Sequence, residues 1–207
     1  MNDSYLTIES ASTCEIKVER SRFIGTVIPA ASRAEAEHEY DLIRKKFHDA
    51  THNCFAYQIG LDAKTEFRYS DDGEPSGTAG RSIYDAILSH KLTHIIVVVT
   101  RYFGGVKLGT GGLARAYRQT ADQALSEAKA LEKLIMQPFQ ITFEHDFTSV
   151  VMKALVDFDL RPLETVYAES VTLHSAIRMS RFAEFEAALR DRSHGRVSVQ
   201  VEGEPNA

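Results

Sequence analysis

The chain has 207 residues, 43% hydrophobic and 26% charged, with a net charge of −5; this is the balance of a soluble globular protein with room for one domain or two small ones, and it excludes a whole-protein field that draws in nucleic acid, so a polyanion must be met by a local patch. Two cysteines, Cys14 and Cys54, exclude a disulfide scaffold and suit a reducing compartment. MNDSYLTIES at the start has no basic stretch before an apolar run, and no apolar segment reaches the ~20 residues of a membrane span, so a cytoplasmic protein with no membrane partner is expected.

Residues 14–29 alternate in polarity and predict two short strands, CEIKVE and RFIGTVIP, the second ended by Pro29. Ser32 and Glu35 have the spacing of a capping box, and a helix follows to about Lys46 with Tyr40, Ile43 and Phe47 as its apolar stripe. HNCFAYQIG and FRYS read as strands and DDGEPSGTAG as a loop; RSIYDAILSH reads as a helix with Ile83, Ala86, Ile87 and His90 on one side. HIIVVVT is the most apolar strand and is expected at the centre of a sheet. A long helix is predicted from about Leu113 to Leu134.

From Ile135 onward the order is strand (MQPFQITFE), helix (FTSVVMKALVDF), strand (LETVYAE), strand (SVTLHSAIR), helix (RFAEFEAALRDR), strand (GRVSVQVE). That is βαββαβ, the ferredoxin-like split unit. A boundary is therefore expected near Ile135, giving domains over 1–134 and 135–207, with no Gly/Ser-rich linker between them. The second carries seven Lys and Arg against eleven Asp and Glu, so the acidity is concentrated there.

The chemistry gathers around VVVTRYFGGVKLGTGGLARAY, Val97 to Tyr117. Gly109-Thr110-Gly111-Gly112-Leu113-Ala114 spells a dinucleotide fingerprint, but eight residues separate it from the strand, and the acids some twenty positions on, Glu127 and Glu132, lie on the same predicted helix. A phosphate-binding P-loop fails too, because Gly109 is not followed by Lys-Ser/Thr. Local physics offers another reading: a glycine-rich entry to a helix leaves N–H groups bare and points the positive end of the helix dipole outward, which favours anions. No acidic residue lies between Asp85 and Asp122, while Lys91, Arg101, Lys107, Arg115 and Arg118 are all basic, and Tyr102, Phe103 and Tyr117 offer rings for stacking. The bland reading stands level with it: glycines for tight turns, Tyr102 and Phe103 as core, arginines paired with the acids of 62–74.

A second loop, Asp71-Asp72-Gly73-Glu74-Pro75-Ser76-Gly77-Thr78-Ala79-Gly80, also leads into a helix. Its acids suit either a hard cation or, more commonly, a solvated turn or arginine partners. His52 and Cys54 share a strand face but lack two further zinc ligands, and the better reading of Cys54 is a buried thiol beside a hydrogen-bonded His. The deaminase pattern is absent, His48-Asp49-Ala50-Thr51-His52 is a poor imitation of a metalloprotease helix, and Ser76 and Ser82 have no nucleophile-elbow setting. No constellation says catalysis.

ATHNCFAY, SDDGEPSGTAG and VVVTRYFGGVKLGTGGLARAY, in this order and spacing, resemble the YigZ/IMPACT family over about Arg20 to Leu125, and the βαββαβ tail fits the second domain of its bacterial members. The Arg-Tyr-Phe-Gly-Gly-x-x-Leu-Gly run, Arg101 to Gly109, is the specific part. The resemblance implies a first domain like that of a ribosomal small-subunit protein, with a left-handed crossover, and a tail like the last domain of elongation factor G. Eukaryotic members regulate translation through a starvation-responsive initiation-factor kinase, using an added N-terminal domain for which this chain has no room. Shared positions are His52, Asp71, Asp72, Gly73, Glu74, Gly77, Arg101, Gly104, Gly105, Gly109 and Gly112, and no catalytic assignment comes with them.

The expectation is thus an α+β protein of two two-layer α/β domains. It is read as a non-enzyme without cofactor or metal, linked to translation, that binds RNA or the ribosome. Arg101, Lys107, Arg115 and Arg118, with the amides of Gly104, Gly105, Gly109, Gly111 and Gly112, are expected to meet phosphate, and Tyr102 and Phe103 to stack. The tail is expected to contact protein or to brace the first domain. Two rivals remain: an enzyme or small-ligand binder at a cleft between the second loop (His52, Asp71, Asp72, Gly73, Glu74, Gly77) and the glycine loop, and a protein–protein module.

Overall fold

The computed structural model describes residues 3–203. The chain forms two compact units, one over Tyr5–Glu132 and one over Lys133–Ala207 with Met1–Ser4. Both mix helices with antiparallel sheets, and the α+β class holds.

In the unit Tyr5–Glu132, strands β2 (Ser12–Val18), β3 (Ser21–Pro29), β4 (His52–Ile59), β5 (Glu66–Ser70) and β6 (Ile95–Tyr102) form a sheet in the order β2-β3-β6-β4-β5. Each neighbouring pair is antiparallel. β6 is the centre, as its apolar run predicts, and it alternates between two cores: Ile95, Val97 and Val99 face one, Ile96 and Val98 the other.

On the first face lie α2 (Gly80–His90) and α3 (Gly109–Glu127). Their buried stripes, Ile83, Ala86 and Ile87, and Leu113, Ala116, Tyr117, Thr120, Ala121, Ala124 and Leu125, recur at helical spacing. α1 (Arg33–Lys46) covers the second face with Ile43 buried and Tyr40 and Phe47 packed against the same core. Its start follows the capping chemistry in the sequence. Ser32 Oγ accepts from the Glu35 amide at 3.2 Å, and Glu35 reaches back to the Ala31 amide at 2.8 Å.

Two sequence expectations need correction. β1 (Ser4–Ile8) was not expected, and the helix predicted to Leu134 stops at Glu127. Ala128 is extended, and residues 130–134 form β7 (Ala130–Leu134), which pairs with β1. ALEKL has good helix formers, so its strand state is imposed by the distant partner strand rather than by local preference.

The other unit carries β8 (Met136–Phe143), α4 (Thr148–Asp157), β9 (Glu164–Tyr167), β10 (Val171–Arg178), α5 (Phe182–Arg192) and β11 (Ser198–Val201). Its sheet order is β11-β8-β10-β9, all antiparallel, the ferredoxin-like arrangement expected from the βαββαβ reading. Phe139, Ile141, Leu173, Ile177, Val151, Leu155, Phe185 and Leu189 fill its core. Among the described residues no helix is long and apolar enough to cross a membrane.

Candidate functional site

Both sequence loops converge on the end of β6 where Arg101 lies. Its cross-strand neighbours are Phe23 on β3 and His52 on β4. Arg101 is 4% exposed, and its Nη1 donates to Glu74 Oε1 at 2.6 Å; Glu74 is itself buried. The same carboxylate oxygen accepts from the Tyr117 hydroxyl at 2.8 Å. Arg101 Nη2 lies 3.4 Å from Ser21 Oγ, which also accepts from the Gly104 amide at 3.2 Å. The guanidinium sits between the rings of Phe23 and Phe103, 5.4 and 5.3 Å from their centroids. Charge-assisted hydrogen bonds and ring contacts thus lock this side chain in place.

This corrects the expectation that Arg101 meets phosphate. A buried guanidinium neutralised by a carboxylate is spent inside the protein, and its role is to fix the turn that follows it. The Arg101 carbonyl accepts from the Thr51 amide at 2.9 Å, and Thr51 Oγ1 accepts from the Phe103 amide at 3.0 Å. Gly104 then passes so close to the β2–β3 turn that an added Cβ would lie 1.8 Å from the Arg20 carbonyl oxygen.

Tyr102 is also committed. Its hydroxyl donates to Asp49 at 2.7 Å, and the Arg22 guanidinium lies 4.4 Å from its ring centroid. That carboxylate partner raises the Tyr102 pKa, while the hydroxyl lowers that of Asp49. Phe103, 46% exposed, is not core, although Arg101 lies over its ring. Arg118 is held by Asp122 at 3.1 Å and by Ser89 at 3.1 Å, so its charge is shared with the protein.

The acidic loop is equally spent. Asp71 Oδ1 accepts from the amides of Ala79 and Gly80 at 2.9 and 2.8 Å, and Oδ2 from Gly77 at 2.8 Å, so it caps α2. Asp72 Oδ2 accepts from the Asn53 amide at 2.6 Å. His52 Nδ1–H donates to the Asp72 carbonyl at 2.7 Å, and a Cβ added at Gly73 would lie 3.5 Å from the His52 ring. Among the described residues no group of three His, Cys, Asp or Glu side chains is arranged to hold a metal.

Cys54 is buried and donates to the Asp71 carbonyl at 3.0 Å. Burial pushes its thiol pKa far up, and burial does the same to the Tyr117 hydroxyl. A thiolate nucleophile is therefore disfavoured. A thiol-modifying reagent, with the labelled residue mapped by mass spectrometry, is expected to leave Cys54 intact in the native protein and modify it only on unfolding; stoichiometric native labelling would contradict this.

What remains free is the start of α3. The four residues Gly109-Thr110-Gly111-Gly112 lie inside the helix, as its first turn, rather than in a loop before it. Leu108 at the cap supplies no side-chain hydrogen bond, so the amides that open the helix have no cap from it. Gly109 holds φ at +69°, a conformation that favours glycine. Lys107 and Arg115 are exposed and enter none of the ion pairs among the described residues. A Cβ added at Gly111 would lie 3.7 Å from Arg115 Nη1, so that guanidinium folds back over the first turn. The expected cluster is thereby divided: Lys107 and Arg115 stay exposed on either side of the glycine turn in sequence, while Arg101, Tyr102, Arg118 and the Gly104 amide, which donates to Ser21 rather than to a phosphate, are structural.

The model of the Impact N-terminal domain matches residues 19–125, the stretch that contains both loops and the buried pair. The chain belongs to the IMPACT family. Family member YvyE of Bacillus subtilis (strain 168) is 32% identical over 204 residues, covering 99% of this chain and 93% of that protein. YigZ of Escherichia coli (strain K12) is 31% identical over 199 residues, covering 95% and 97%. A crystal structure described as that of a hypothetical protein matches with a TM-score of 0.72 at 30% identity, covering 99% of this chain and all of the other. Both of these named relatives are bacterial, and each is matched over nearly its whole length.

Proposed function

We propose that the protein binds RNA, as a translation-linked or ribosome-associated factor, through the first turn of α3. The carrying observation is the coincidence of an uncapped glycine turn with two exposed cations, Lys107 and Arg115, one of them folded over that turn. Bare helix-start amides favour phosphate oxygens, and cations beside them add the salt-dependent attraction that dominates backbone recognition. Phe103 adds one exposed ring nearby in sequence for stacking. Kinship supports a role in translation by analogy of fold and family, and the site itself supports the phosphate chemistry.

The geometry favours this reading over an enzyme at the acidic loop. Both carboxylate oxygens of Asp71 and one each of Asp72 and Glu74 accept from protein donors, and the Cys54 thiol is held neutral by burial. Lys107→Ala with Arg115→Ala is expected to weaken binding to single-stranded RNA and to flatten its salt dependence by roughly one unit of slope per cation removed. Arg118→Ala, whose charge is shared with Asp122, is expected to do less. Fluorescence anisotropy across a salt series reads both quantities, and unchanged affinity and slope in the double variant would remove the proposal.

A further inference from the structure

β5 is the last strand of the five-stranded sheet, and all its residues but Ser70 are exposed. One backbone edge pairs with β4, and the other has no strand partner among the described residues. Such an edge is a template for another strand. We propose that β5 pairs antiparallel with β5 of a second copy, about a two-fold axis centred on Phe67.

The register follows from charge. Residues directly opposite each other in a symmetric antiparallel pair share a face, so the axis falls on a residue of the strand. Centred on Glu66, it sets two carboxylates opposite each other; centred on Arg68, two guanidiniums. Centred on Phe67, it sets Glu66 against the partner's Arg68 and Arg68 against the partner's Glu66. Of these three registers only the last places unlike charges of the strand opposite each other, and each such pair is stabilising while like pairs are destabilising. Arg68 also meets Glu37 of α1 at 2.9 Å and lies 5.8 Å from the Phe55 ring of β4 within its own chain, so its charge is shared between that contact and the partner's Glu66.

The opposite face agrees. Phe67 and Tyr69 are 54% and 39% exposed, a large aromatic area on so short a strand. Phe67 stacks on Tyr84 of α2 with centroids 4.8 Å apart, and Tyr69 lies 6.0 Å from the same ring. Two-fold pairing sets Phe67 against the partner's Phe67 and covers this platform from both sides. Three strand residues paired directly, Glu66, Phe67 and Arg68, and three rings per chain make a small interface, so the dimer is weak and concentration-dependent.

Sedimentation equilibrium across a concentration series tests it. Wild-type protein is expected to dimerise. Glu66→Arg and Arg68→Glu, each alone, set like charges opposite twice and are expected to raise Kd on the order of tenfold or more. Glu66→Arg with Arg68→Glu restores the unlike pairs and is expected to recover dimerisation, although the Glu37 contact stays broken. Phe67→Glu is expected to abolish it. A protein that stays monomeric throughout, a dimer indifferent to these changes, or a double variant that fails to recover would each overturn the proposal. The readout is independent of RNA binding, so the two proposals stand or fall separately.

Discussion

Replacing Glu74 by Gln is expected to destabilise the unit Tyr5–Glu132 by about 3–5 kcal/mol, the cost of removing one partner from a buried ion pair. The Arg101 guanidinium would remain 4% exposed with no countercharge, and the Tyr117 hydroxyl would lose its ionised acceptor. Partial relief by water is poor, because Phe23 and Phe103 flank the guanidinium. Arg101→Met is expected to cost a similar amount by stranding the Glu74 carboxylate. Changing both, Glu74→Gln with Arg101→Met, is expected to cost less than the sum of the single changes, since neither charge is then left buried without its partner. Urea unfolding of the four proteins measures this cycle. Single variants that lose under about 1 kcal/mol, the level of an exposed pair, would show that the charge pair is not held in the interior.

Gly104→Ala is the second large effect, and its cause is different. The added methyl would sit 1.8 Å from the Arg20 carbonyl oxygen, 2.0 Å from its carbon and 2.5 Å from the Ser21 amide. These are backbone atoms, so no side chain can swing away, and the turn between β2 and β3 must separate from the end of β6. That motion also breaks the hydrogen bond that the Gly104 N–H donates to Ser21 Oγ, and with it the link to Arg101. A loss of about 3 kcal/mol or more is expected, the range of a severe core clash. Gly105→Ala is the contrast. Gly105 has φ at +85° but open space around its Cβ position, so only the conformational cost applies, about 1–2 kcal/mol. Thermal or urea unfolding that ranks the two in the opposite order would refute the account of close approach. If the pair tolerates Gly104→Ala, the buried cluster does not set the shape of the glycine run.

These two variants act on the same device. Glu74 holds Arg101, Arg101 and Gly104 share Ser21, and the run from Arg101 to Leu108 leads from that anchor into α3. Lys107 and Arg115 lie outside it, on the surface. The family motif therefore divides into a buried half that holds shape and an exposed half that offers charge.

Much of this protein is legible in its sequence. The strands β2 and β3, the apolar run of β6, the Ser32–Glu35 cap and the βαββαβ order of the second unit follow from local patterns, and local patterns survive folding when the tertiary structure agrees with them. Where distant partners decide, the sequence was mute. β7 is a strand because β1, some 120 residues earlier, pairs with it. Arg101 and Glu74 are 27 residues apart, and Tyr102 and Asp49 are 53. Sequence determined that cations gather near a glycine-rich helix start; tertiary structure decided which of them are free. The physical reason is that a charge's availability depends on its burial and its partner, and both are created only when the strands and loops that carry them come together.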